Sequence, residues 1–199
     1  MNSNHRYFIV NKPYNMVSQF ISTDDVKLLG HLNFSFPAGT HAIGRLDNNS
    51  EGLLILTTNK AVTRLLFQGH KPHTRTYLAQ LNGHITSQNL QQLQMGVSIR
   101  VKGGRQWKTT ACAVAVVQKP EYHFVPPELE RAYPPYTWIR LSLTEGKFHQ
   151  VRKMIAAVHH KCRRLIRVAI EDIYLGDLGP GGVKELPEDE FFKLLHIKY

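Results

Sequence analysis

The sequence predicts an α+β fold built around a mainly antiparallel central sheet with flanking helices. Short apolar or alternating runs recur at Tyr7–Val10, Leu53–Leu56, Thr76–Leu81, Ala111–Val117, Trp138–Leu143 and Leu165–Ile170. Helical periodicity appears between them at only a few places. Several neighbouring runs suit hairpin-like pairing better than repeated βαβ units. At 199 residues, the chain suits one domain, or two small subdomains sharing a core.

Taken in order, Tyr7–Val10 reads as a strand stopped by Asn11-Lys12-Pro13. Residues 23–36 carry no clear pattern. Ala42-Ile43-Gly44 reads as the end of a strand. Arg45 to Gly52 is polar and turn-rich, with Asp47, Asn48, Asn49 and Ser50 in succession. Leu53–Leu56 is continuously apolar, as in a strand buried on both faces. Asn59 suits the cap of a helix reaching Phe67, because Val62, Leu65 and Leu66 share one face.

A helix is predicted over Ser87–Met95. Residues 118–136 form a loop holding Pro120, Pro126, Pro127, Pro134 and Pro135. Lys147–Val158 is the clearest helix, with Phe148, Val151, Ile155 and Val158 as its apolar stripe. Leu165–Ile170 reads as a late strand. A Gly/Pro segment at 176–182 then precedes a C-terminal helix over Glu188–Leu195.

Charge narrows the choice of partner. There are 25 Lys+Arg against 15 Asp+Glu, a net charge of +10, and a field of that sign attracts polyanions. The first apolar run is too short for a signal peptide, and no stretch is long enough to span a bilayer. Two cysteines, Cys112 and Cys162, indicate no disulfide framework and suit a reducing cytoplasm. Nucleic acid is therefore the expected partner, and membrane is not.

Asp47 sits in a polar loop between apolar strands, a place that holds a side chain firmly yet leaves it accessible. A turn aspartate bonding its own backbone is the bland alternative. Arg45 suits a phosphate or a base edge, or is a solvated charge. Arg152 flanks the stripe of its helix, where its stem can be buried and its guanidinium aimed at a carboxylate, or where it is simply a snorkelling surface arginine. From 145 to 167, Glu145 is the only acid among Lys147, Arg152, Lys153, Lys161, Arg163, Arg164 and Arg167. His149, His159 and His160 add latent charge. That imbalance predicts a phosphate-binding surface. His159, His160 and Cys162 have no second cluster at ligand spacing, so no metal is expected, and no phosphate-cradling glycine loop occurs.

Resemblance extends this reading. GRLDNNSEGLLILTTN at 44–59 resembles the signature of the RsuA-type ribosomal pseudouridine synthases. EGKFHQVRKM at 145–154 is similar to their second signature, and RLIRVAIEDIYLGDLGPG at 164–181 to their closing segment. NKPYNMVSQ at 11–19 also matches. These segments fall in the family order and cover nearly the whole chain. The NKP segment leaves no room for the small N-terminal RNA-binding domain of some members. In this the chain most resembles the pseudouridine synthase E branch, which modifies the 23S ribosomal RNA.

The resemblance implies a pseudouridine synthase fold over 1–199, a single catalytic domain of two closely joined subdomains with a basic cleft, no cofactor, no metal, and a cytoplasmic monomer acting on ribosomal RNA. It places the catalytic aspartate on Asp47, the motif tyrosine on Tyr77, the ion-pairing arginine on Arg152 and the pocket aliphatic residue on Leu165. Lys147, Gln150, Lys153, Arg163, Arg164 and Arg167, with Arg45, are the expected RNA contacts. Arg75 stands where lysine is usual and Lys153 where arginine is common, so charge is kept but fork geometry changes. A non-catalytic ribosome-assembly factor would need the basic residues but not Asp47. A glycosylase would have to account for the whole signature around it.

Overall fold

The computed structural model describes residues 5–67, 69, 71–120, 126, 129 and 135–199. Its strands in chain order are β1 Tyr7–Lys12, β2 His41–Ile43, β3 Glu51–Thr57, β4 Arg75–Asn82, β5 Ser98–Arg100 and β6 Gln106–Lys108. There follow β7 Ala113–Val117, β8 Tyr136–Leu143, β9 Cys162–Ile170, β10 Ile173–Tyr174 and β11 Val183–Leu186. The helices are α1 Ala61–Phe67, α2 Ser87–Met95, α3 Gln150–Ala157 and α4 Glu188–Leu194. The architecture is mixed, with mainly antiparallel pairing, as expected. Most of the proline-rich loop, including Pro127 and Pro134, lies outside the described residues.

The chain divides into two compact units, residues 1–73 with 166–199, and residues 74–165. In the first, β11, β1 and β3 pair antiparallel. Every residue of β1 and β3 is buried, which explains the continuous apolar runs Tyr7–Val10 and Leu53–Leu56 within them. β2 pairs with the far end of β3, from His41 opposite Thr57 to Ile43 opposite Ile55. β9 meets the near end in parallel, Glu51 opposite Ile166 and Gly52 opposite Arg167. Aromatic packing closes this core: Tyr7 stacks on Phe191 at 4.5 Å between ring centres, and Phe8 meets Phe34 edge-on at 5.5 Å. Asn59 caps α1 as expected, its Oδ1 accepting from Ala61 N at 3.0 Å.

In the second unit β8 pairs antiparallel with β4 on one side and β7 on the other. α2 begins at Ser87, its N-cap Thr86 accepting from Asn89 N. Leu81, Leu93, Ile139, Leu141, Met154 and Ile155 fill the core. Two differences from expectation matter for the site. The β5–β6 hairpin is not foreseen from the sequence, because each strand is only three residues long and mostly exposed. The expected helix from Lys147 starts later, at Gln150, because His149 takes a left-handed conformation with φ 54°. Phe148 is consequently not on the apolar stripe; it is 70% exposed.

Candidate active site

In the first unit the Asp47 loop is held at three points. Buried Leu46 exchanges two bonds with the Ser18 hydroxyl, its N donating to Oγ at 2.9 Å and its carbonyl accepting from it at 3.0 Å. Ser50 N donates to Asp47 O at 3.0 Å and closes the Asp47-Asn48-Asn49-Ser50 turn. Lys12 Nζ reaches Asn48 O at 3.4 Å and binds Pro13 O at 2.7 Å and Met16 O at 2.6 Å. Leu46 thus anchors the loop, while Arg45 on one side is exposed and Asp47 on the other is partly exposed. The turn sequence supplies the residue types and the flanking strands supply the rigidity.

Lys12 is 0% exposed. Burial pulls its pKa down from 10.5 to about 7; Glu51 and Asp47 oppose the fall, and Arg167 adds to it. Glu51 and Arg167 are themselves buried, so two cations and two carboxylates lie within electrostatic reach of one another around the loop. The sequence reading sets Arg167 along phosphates, and the structure does not. Arg167 is only 4% exposed, and its Nε donates to Leu53 O at 2.7 Å. Its place is a structural one beside β3. Gly52 makes this approach possible: at φ +99°, a Cβ there would lie 2.2 Å from Arg167 O. Lys12 and Glu51 escape the sequence reading as site residues, since a lysine ending a strand reads as a solvated charge.

The second unit carries the remaining expected residues. Tyr77 lies on β4 opposite Leu141 and packs partly buried against the core. Arg152, half-buried on α3, donates from Nη1 to Cys162 O at 3.1 Å. Leu165 is buried within the core of this unit. Gln150 is buried as well: its Nε2 donates to Glu145 Oε1 at 2.8 Å, and its Oε1 accepts from Lys147 N at 2.8 Å. It braces the turn before α3 instead of facing solvent, contrary to expectation. Arg164 is 5% exposed, because β9 is buried on both faces from Arg164 to Arg167, and so it too leaves the expected phosphate surface. Arg163 is half-buried with Nη2 donating to Leu129 O at 3.3 Å. Lys147 and Lys161 are exposed, and Lys153 partly so.

Among the described residues, no group of three or more His, Cys, Asp or Glu is arranged to hold a metal ion. No helix among them is long and apolar enough to cross a membrane.

The family model for RNA pseudouridylate synthase matches residues 6–157, a span holding the Asp47 loop, Tyr77 and Arg152. A Vibrio parahaemolyticus protein named ribosomal large subunit pseudouridine synthase E is 35% identical over 184 residues, covering 92% of this chain and 74% of its own. The protein of the same name from Xanthomonas axonopodis pv. citri is 36% identical over 172 residues, covering 86% and 89%. A crystal structure of a pseudouridylate synthase superposes with a TM-score of 0.76 at 26% identity, covering 96% of this chain and 74% of that one. With a matching model over most of its length and relatives this similar, the chain belongs to the RNA pseudouridylate synthase family.

Proposed function

We propose that this isomerase converts a specific uridine of ribosomal RNA to pseudouridine, that the RNA is the 23S species, and that it works in the cytoplasm. The observation that carries the reading is the Asp47 loop, a signature turn clamped by Ser18 and Lys12 that keeps one carboxylate partly open to solvent. The names of the large-subunit relatives support the choice of RNA.

The reaction is redox-neutral. The N1–C1′ glycosidic bond of uridine breaks, the ring turns, carbon 5 joins the same ribose carbon, and the proton that carbon 5 then releases is balanced by the one that N1 takes up. Asp47 supplies the carboxylate at the sugar–base junction, as nucleophile toward the ribose or as base. The uridine must leave its stack to reach that carboxylate. Arg152 is the cation assigned to pair with the Asp47 carboxylate. Tyr77 is assigned to pack on the extruded ring with Leu165 beside it, and Arg45 to enter the space the base vacates.

Asp47→Asn separates catalysis from binding, because it removes the charge and keeps the shape. The variant should form no pseudouridine in a 23S fragment and should bind that fragment within a few-fold of the parent. Pseudouridine mapping and filter binding read the two quantities. Normal turnover by the variant would end the catalytic assignment, and equal turnover on 16S and 23S fragments would end the substrate assignment.

A further inference from the structure

We propose that Trp107 and Phe148, flanked by Lys147 and Lys153, form a stacking platform for unpaired RNA nucleotides other than the uridine that is isomerised. The proposal rests on the RNA-modifying reading above and adds a second point of contact to it.

Phe148 exposes 70% of its surface and Trp107 39%. Neither ring is left to chance. Phe148 stacks on His149 with centres 3.8 Å apart and planes at 21°, and His149 adopts the left-handed conformation that takes both residues off the helix. Strained backbone of this kind persists where the surroundings hold it, often at binding sites. Trp107 is fixed at its other end, with Nε1 donating to Glu145 Oε2 at 3.1 Å. The other oxygen of Glu145 accepts from Thr110 N at 2.9 Å and Gln150 Nε2 at 2.8 Å. One carboxylate therefore ties the β5–β6 hairpin, the segment that follows it and the turn before α3 into a single support.

Each ring carries a cation: Lys147 Nζ lies 4.0 Å from the centre of Trp107, and Lys153 Nζ 5.4 Å from that of Phe148. The hairpin adds exposed Arg100, Lys102, Arg105 and Lys108. No acid occurs in 96–111 or in 146–170, and both oxygens of Glu145 are engaged. Aromatic faces among lysines, on segments whose one acid is already shared among donors, match bases joined by phosphates. An apolar protein partner would not call for this charge, and a fully paired duplex offers no free base to stack.

The test compares the full chain with Phe148→Leu, Phe148→Tyr and Trp107→Leu. Probes are an oligouridylate, a 23S fragment with an unpaired loop, and a duplex of equal length. Trp138 is buried, so quenching of Trp107 reports stacking directly in the parent and the Phe148 variants, and filter binding reads Trp107→Leu. Both leucine variants should bind the looped and single-stranded probes about five- to a hundredfold more weakly, with the salt slope unchanged because no charge is lost. Phe148→Tyr should bind as the parent does, and the duplex should not distinguish any of them. Phe148→Leu changes an exposed side chain and serves as the arm least exposed to misfolding. If the parent binds looped RNA and both leucine variants bind it equally well, the platform is wrong while the RNA reading stands. If the parent binds no RNA, the RNA reading fails first and the platform with it.

Discussion

Replacing Lys12 with methionine keeps the length of the side chain and removes its charge and donors. Two opposing effects follow, and pH separates them. The loss of the bonds to Pro13 O and Met16 O, at 2.7 and 2.6 Å, leaves two carbonyls under-satisfied, at about 1–3 kcal/mol each. In the other direction, the variant no longer buries an amine whose pKa falls from 10.5 to about 7 on folding. Between those values the unfolded chain holds a proton that the native state has released, so stability gained from Lys12 rises with pH through that window. Below about pH 7 both states are protonated and the burial penalty is felt in full. At ~1.4 kcal/mol per tenfold change in the proton equilibrium, the span amounts to at most about 5 kcal/mol. Urea unfolding of both proteins at a series of pH values from about 7 to about 10 measures it, since titrations common to both cancel in the difference. The advantage of the parent over Lys12→Met should widen steadily as pH rises. Parallel stability curves would refute the reasoning and show that Lys12 stays charged in the folded protein.

Two further changes probe the neighbourhood of the loop. Gly52→Ala must fit a Cβ 2.2 Å from Arg167 O at φ +99°, so it should cost at least ~2 kcal/mol; an unchanged melting temperature would show that β9 can give way. Lys161→Ala should lower the salt slope of RNA binding by roughly 0.7–0.9 with stability unaffected, whereas Arg167→Ala, losing its bond to Leu53 O, should destabilise the fold by about 1–3 kcal/mol. Titrations at several salt concentrations beside a melting curve distinguish them, and a lowered melting temperature for Lys161→Ala would count against the division.

Much of the fold is written in local pattern. Continuous burial made β3 legible from Leu53–Leu56, and the Asn59 cap and the face shared by Val62, Leu65 and Leu66 located α1. The Asp47 loop was legible because its turn residues interrupt two apolar runs. What escaped was whatever depends on partners distant in sequence. Arg164 and Arg167 stand in a basic run that looks like a solvated surface, yet β9 is covered on both faces at these positions and buries both. Phe148 matches the spacing of the α3 stripe, but periodicity cannot show that the left-handed His149 will displace it. The β5–β6 hairpin did leave a signal in Gly103-Gly104, a glycine pair suited to a tight turn; its three-residue strands were too short to stand out. Lys12 could not be found from pattern alone, because only the folded loop brings the Asn48 carbonyl toward its amine.

The three donors gathered by Glu145 have a consequence for how this chain can change over evolutionary time. Trp107, Thr110 and Gln150 lie on separate segments yet share one acceptor. A substitution at either side-chain donor, Trp107 or Gln150, leaves the remaining groups suited to a carboxylate that is no longer correctly shared. A substitution at position 145 strands all three at once. Drift at these positions should therefore be correlated, with tryptophan at 107 and glutamine at 150 retained or lost together with the acid, even as the exposed lysines around them are freely exchanged with arginine.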